Sequence, residues 1–376
     1  MPDWTQSMQQ TFEYYIVNPY TWRDTELLTK VKSSSITWDL NTDTLGSATI
    51  DLTDSINESY IRIYLITIQN GVTEKHPLGT FLVQTLPSSF DGKVKTISAD
   101  AYTPLIELNE KYPELGYSVN KGTNIMPLVS NLTKNNTRAP VTNSDSGKTL
   151  FDNFVSDPDD TWLKFLNNLM LQQQPEYEFS LDEYGRILFN PKQEIEALQP
   201  IWTYNDDNSS ILYPDIDIER DLFGIPNVVE IFVSNGVQTI HSIVKNEDND
   251  SPVSIQNRGR EIVYRENNPD INGIPTDKDE AQKYVNTYAK LKLKTLSSLE
   301  NKITYTHAYC PVRLGDCVRL NYSRFGLNNV KAKVINQKIK CEPGCPVTET
   351  AVYTIRLWDG GISVLWNYLT KQYRIL

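Results

Sequence analysis

Residues Ile303–Leu320, ITYTHAYCPVRLGDCVRL, decide how the rest of the chain is read. They form two strand-like runs joined by a corner that Pro311 and Gly315 punctuate, and a long helical pattern leads into them. Nothing in the stretch is a reaction signature, so architecture has to carry the functional reading.

Working upstream, Thr276 is placed to cap that helix, with Asp279 at the capping-box position. Ala281, Tyr284, Val285, Tyr288 and Ala289 supply a buried stripe, and the helix runs over about 276–298. Before it come three strand candidates, NVVEIFVSN, VQTIHSIVKN and REIVYREN, and an acidic connector with a strand in it, carrying Asp206, Asp207, Asp215, Asp217, Glu219 and Asp221. Downstream, VKAKVINQKIK and ETAVYTIRLWD read as two more strands. The closing GISVLWNYLTKQYRIL is a short apolar and basic tail that needs a neighbour to cover it.

The first hundred residues have the period of two. Ile36, Trp38 and Leu40 share one face, TDTLGS turns, and Ala48, Ile50 and Leu52 share a face again. Asn70-Gly71 between two β-rich segments is the strongest short-range hairpin signal. Five or six closely spaced strands before residue 102 describe an antiparallel sheet curled into a barrel or sandwich. The character then changes. Thr103-Pro104 opens a short helix, Asn124–Leu132 is a second helical segment, and Asp157-Pro158-Asp159-Asp160 marks a third, with Asp157 as cap and Trp162, Phe165, Leu166 and Leu169 facing a core. YEFSLDEYGRILFNP is a hairpin turning at Tyr184-Gly185. The expected fold class is therefore α+β, mainly β: two antiparallel β-barrel or sandwich domains over 1–105 and 205–358, an intervening smaller α+β domain over 106–204, and a C-terminal tail over 359–376.

Composition narrows the function. The chain has 376 residues, 39% hydrophobic, with 21 Tyr, 11 Phe and 7 Trp, enough for real cores and unlike a disordered chain. Its 47 acidic and 36 basic residues leave a formal charge of −11, which argues against a surface that grips phosphates and suits one that nucleic acid passes without sticking, although a soluble acidic enzyme has the same balance. The first residues lack the basic start and apolar run of a signal peptide, and no stretch approaches the ~18 apolar residues of a spanning helix.

Candidate chemistry is sparse. Cys310, Cys317, Cys341 and Cys345 are read as ordinary thiols, with a four-thiolate zinc site or a disulfide as the alternatives. His76 lies at a hairpin end, while His241 and His307 alternate with apolar residues in strands, where a half-buried or surface imidazole is the commoner explanation. Paired carboxylates among Asp157/Asp159/Asp160, Asp206/Asp207 and Asp215/Asp217/Glu219/Asp221 would permit a carboxylate-based, cell-wall-degrading glycosidase, although capping and a solvated strand face explain them as well. Trp4, Trp22, Trp358 and Trp366, if exposed, could stack on sugars in a carbohydrate-binding module, although packing against a partner or a domain edge is the commoner role of such residues. No catalytic, cofactor-binding or metal-binding residue is assigned.

Two groups of phrases resemble a known family. TWRDTELLTKVKSSSITWDLNTDTLGSATIDL, LGTFLVQT and TISADAYTPL resemble the first barrel of the baseplate hub proteins of tailed bacteriophages, and DKDEAQKYVNTYAKLKL through ITYTHAYCPVRLGDCVRLNY resembles their second barrel, with its Pro-x-x-x-Gly-Asp corner. The resemblance spans about residues 10–358. It implies a non-enzymatic homotrimer whose six barrels form a pseudo-sixfold ring between the tail tube, with its distal tail and tape-measure proteins, and a threefold spike or fibre. It implies also a lumen for DNA and a place in the virion tail tip after assembly in the host cytoplasm. The four cysteines are not carried over from that family.

Overall fold

A computed structural model describes residues 2–90, 92–93, 95–173, 175–220, 222–234, 239–269 and 275–358. The tail over 359–376, Trp366 included, lies outside the described residues. The protein is mainly β, with 45% of the described residues in strands and 15% in helices, and its large sheets are antiparallel as the period-two patterns require. It folds as two compact units, one of Met1–Ile216, Thr304–Ser323 and Leu327–Ala351, the other of Asp217–Ile303, Arg324–Gly326 and the described part of Val352–Leu376.

In the first unit the N-terminal strands run Asp24–Leu27, Gln9–Val17, Tyr60–Gln69, Val72–Thr85, Lys95–Tyr102, Gly46–Leu52, Val31–Asp39 in spatial order. Asn70 and Gly71 take φ of 52° and 76° between the paired residues Gln69 and Val72, the left-handed geometry that a two-residue hairpin loop demands. Ile36, Ala48, Ile50 and Leu52 are all buried, so the alternation seen in the sequence is the inward face. The sheet then continues into the last third of the chain. Ile36 stands opposite Ile339 on the strand Leu327–Lys340, which pairs in turn with Cys317–Tyr322, and Pro200–Asn205 adds to the latter in parallel.

Within the same unit, helices Ile106–Asn109, Ile125–Asn136 and Trp162–Met170 pack with the hairpin Tyr177–Leu181/Ile187–Pro191 around Leu108, Met126, Val129, Phe165, Leu169 and Phe189. The hairpin is pinned to the N-terminal sheet by Arg62, which is buried. Its guanidinium meets Asp24 at 2.6 Å, Thr80 Oγ1 at 2.9 Å and the Tyr184 carbonyl at 3.1 Å. Gly185 is required at the turn: its φ is 74°, and a Cβ there would lie 2.9 Å from Thr80.

In the second unit, Val228–Ser234 pairs antiparallel with Thr239–Lys245 and parallel with Val263–Asn267. The helix Lys278–Leu296 covers this sheet through Ala281, Val285, Ala289 and Leu293, packed on Val229, Ile231 and Ile240. The four-residue step keeps one face inward, and Tyr284, expected in that stripe, is 39% exposed. Among the described residues no helix is long and apolar enough to cross a membrane.

Two helix starts differ from the sequence expectation, for one reason. Asp157 does not cap: Asp160 Oδ2 accepts the Asp157 N–H at 3.0 Å in a turn around Pro158, and the helix begins after Thr161, whose Oγ1 accepts from Lys164 N–H at 3.3 Å. Likewise Asp277, not Thr276, caps the long helix, its Oδ1 accepting from the N–H groups of Asp279 and Glu280. Several acceptors lie within a residue or two of each start, and the register set by the buried side chains selects among them. Thr161→Ala should cost about 1 kcal/mol in a urea melt, whereas the exposed Asp157→Ala should stay within about 0.5 kcal/mol. The opposite ranking would return the cap to Asp157.

Candidate functional site

The stretch that opened the reading supplies the centre of a buried polar cluster in the first unit. Tyr305 and His307 project inward from the strand Ser298–Ala308, Cys310 follows at its end, and Asp316 closes the corner by accepting the Arg313 N–H at 2.8 Å. Gly315 takes φ of 87° there, and its N–H reaches the Val334 carbonyl at 2.8 Å, tying the corner to the strand Leu327–Lys340. Three residues distant in sequence complete the cluster: Tyr204 from Pro200–Asn205, Gln337 from Leu327–Lys340, and Glu349 from Pro346–Arg356.

Glu349 is the hub of the cluster and has no solvent exposure. Its Oε2 accepts from Tyr305 Oη at 2.7 Å and Tyr204 Oη at 3.1 Å, and its Oε1 accepts from Gln337 Nε2 at 2.6 Å and faces His307 Nε2 at 3.3 Å. The other imidazole nitrogen, Nδ1, lies 2.7 Å from the Ala308 carbonyl, which only a donor can satisfy. Both ring nitrogens therefore donate, and His307 is an imidazolium. Burial opposes that charge, but the Glu349 carboxylate and the hydrogen bonds to Cys310 and Glu349 overcome it and raise the His307 pKa to about 10. Burial likewise pushes the Glu349 carboxyl up, and the His307 charge with its three hydrogen-bond donors holds it below its ordinary value. Gln337 also donates to the Val312 carbonyl at 3.0 Å, so the corner and the ion pair share one amide.

A Cys–His–Glu grouping invites a nucleophile–base reading, which the geometry answers. Cys310 Sγ lies 3.9 Å from His307 Nδ1, but that nitrogen already donates to a carbonyl and has no lone pair to take a thiol proton. Cys310 and His307 are both shut off from solvent. The cluster is built to hold strands together.

The other residues singled out from sequence are dispersed. His307 is not half-buried or at the surface as expected; it is fully enclosed, because the Glu349 charge compensates its own. His76 is half-buried beside Thr67 and stacks edge-on with Trp4, and His241 is exposed on its strand. Trp4 and Trp358 are buried, not exposed, and Trp22 donates to the Tyr184 carbonyl at 2.6 Å. Asp160 pairs with Lys164 at 2.8 Å, Asp206 accepts from Ser323, Asp207 from Ser209, and Asp215, Asp217 and Glu219 line the exposed face of the strand Leu212–Arg220. The four thiols do not converge. Cys310 belongs to the Tyr204 cluster, Cys317 stands opposite Lys333, and Cys341 lies by Ser34 and Tyr14 with Cys345 near it. Among the described residues no group of three or more His, Cys, Asp or Glu is arranged to hold a metal.

The sequence offered one signal for the missed residues. Glu349 occupies the inward stripe of its strand between Val347 and Ala351, where period-two reading expects an apolar side chain. A charge in such a stripe calls for a buried partner.

The fold is that of phage tail proteins. It matches the tail protein from Neisseria meningitidis MC58 with a TM-score of 0.60 and 11% identity, over 92% of this chain and 96% of that one. The 43 kDa tail protein of prophage MuSo2 from Shewanella oneidensis matches with a TM-score of 0.58 and 12% identity, over 92% and 98%. A chain of the half-lidded Francisella PdpA–VgrG complex matches at 0.55 and 10% identity, over 93% of this chain and 58% of that one. No family model and no curated protein matches the sequence.

Glu349→Gln should lower stability by about 3 kcal/mol, the scale of an opened buried ion pair. The pH dependence tests the pairing itself. His307 is raised from 6.5, so its contribution is complete below pH 6.5 and is lost as pH rises towards about 10; Glu349 is lowered from 4.5, so its contribution is complete above pH 4.5 and is lost below. Urea melts of the two proteins should differ most between pH 4.5 and 6.5. Burial also raises the pKa of Cys317 and Cys345, and that of Cys341 to about 11. All four cysteines are buried, so at pH 7 a disulfide reagent should leave the native thiols largely unmodified and titrate all four after denaturation.

Proposed function

We propose that the chain is a structural tail protein that acts as a baseplate hub. The observation that carries this reading is the likeness to tail proteins over 92% of this chain and 96% and 98% of theirs, so that the architecture as a whole is shared. In this reading the residues 1–105 and 205–358 are two barrel modules, 106–204 the domain between them, and three copies close a pseudo-sixfold ring. The ring links the tail tube and distal tail protein to a central spike or fibre at the virion tip, with the tape-measure protein and then DNA passing through its lumen. The formal charge of −11 fits a lumen that phosphates do not grip. The buried His307–Glu349 cluster fits the reading: a hub transmits load between tube and spike, and this cluster links side chains from four strands and a corner within the first unit. No catalytic step is assigned to the chain.

Light scattering on the purified chain should give three times the 43.0 kDa chain mass, and gold-labelled antibody should mark the tail tip of intact particles. A monomer at every concentration, together with label elsewhere on the particle, would overturn the reading.

A further inference from the structure

The helix Lys278–Leu296 buries one stripe on the sheet of the second unit, and its opposite side turns outward. On that side Lys283, Lys290 and Lys294 follow one another at steps of seven and four residues. At 3.6 residues per turn they fall in one line, about 16 Å long at 1.5 Å per residue. Lys292, on the flank, pairs with Glu266 at 3.2 Å. The three lysines of the line pair with no acid among the described residues, and Leu291 beside them is 59% exposed. They stand in a chain whose formal charge is −11.

A surface of opposite sign lies on the strand Leu212–Arg220. That strand ends its sheet: its neighbour is Ser298–Ala308, and no described strand covers its other edge. Alternation puts Tyr213, Asp215, Asp217 and Glu219 on one side, all of them exposed, with the carboxylates in a row about 13 Å long at 3.3 Å per residue. None of the three acids has an ion-pair partner among the described residues. Tyr213, 40% exposed, ends the row with an aromatic ring. The two surfaces match in number of charges, in length and in carrying one exposed apolar side chain, and they are opposite in sign. Among the described residues no ion pair joins them within one chain.

We infer that the lysine line of one copy docks on the acidic row of the next copy, with Leu291 packing against Tyr213. The inference rests on the reading of the chain as a hub that closes a ring. A ring is made by a heterologous contact, in which every copy presents two different surfaces, and complementary surfaces on two separate elements are what such a contact needs. A second copy also answers both surfaces at once, whereas a polyanion would satisfy the lysines and leave the acidic row unmatched. The charges set register and partner choice, and the apolar pair supplies the contact that excludes water.

Analytical ultracentrifugation of the full chain over a concentration series tests it, with the variants K283E/K290E/K294E and D215K/D217K/E219K and a third chain that carries both sets. Each single set brings like charges together and should raise the concentration needed for association about a hundredfold, with an unchanged melting temperature. The chain with both sets restores opposite charges at every contact and should associate like the wild type. The acidic set is the sharper of the two. It reduces the net charge, so general self-repulsion alone predicts tighter association, and the docked contact predicts weaker. Wild-type association that is indifferent to either set, or that the combined chain fails to recover, would overturn the inference and leave the ring in place. Association that obeys the swap but gives a species other than a trimer would support the contact and overturn the ring of three. A wild-type chain that stays monomeric at every concentration would overturn both.

Discussion

The interaction on which the first unit depends is the charge pair His307–Glu349, fully buried and closed by Tyr204, Tyr305 and Gln337. Removing two ions from water is costly, and the attraction between them repays that cost only when every remaining lone pair and proton is satisfied. Here both carboxylate oxygens accept twice and both imidazole nitrogens donate. A half-formed version would leave a naked charge in the core, so the pair tolerates little displacement of the strands that carry it. The cluster thereby specifies one arrangement of Pro200–Asn205, Ser298–Ala308, Leu327–Lys340 and Pro346–Arg356 more sharply than apolar side chains alone would.

The Gly-Asp corner is coupled to that pair through Gln337. One amide donates both to Glu349 and to the Val312 carbonyl, and Gly315 and Asp316 exchange backbone bonds with Val334. The same strand, Leu327–Lys340, places Ile339 against Ile36 on the N-terminal sheet. A displacement at the ion pair would thus be felt at the corner and at the joint with the first hundred residues. Arg62 does comparable service elsewhere in the unit, where a buried guanidinium binds the middle hairpin to the N-terminal sheet through Asp24, Thr80 and the Tyr184 carbonyl.

Much of the fold was legible because it rests on local periodicity. The inward face at Ile36, Ala48, Ile50 and Leu52, the Asn70-Gly71 turn, the middle hairpin and the long helix before Ile303–Leu320 all follow from spacings of two or near four and from one residue's tolerance of positive φ. Helix starts were less legible, since Asp157 and Thr161, or Thr276 and Asp277, satisfy nearly the same capping rule and only packing separates them.

The sequence by itself determined that this is a mainly β chain with a helix leading into a Gly-Asp corner, and its phrases resembled those of phage hub proteins; the tail-protein fold is what the structure shares with known proteins. Tertiary structure alone decided that His307 is an enclosed imidazolium, that Trp4 is buried and not an exposed platform, and that the four thiols do not converge on one site. The reason is sequence separation. Tyr204 and Glu349 stand 103 residues before and 42 residues after His307, and no local pattern encodes which distant charge a buried residue will meet. A strand's period shows that position 349 faces inward; only the assembled sheet shows that an imidazolium awaits it there.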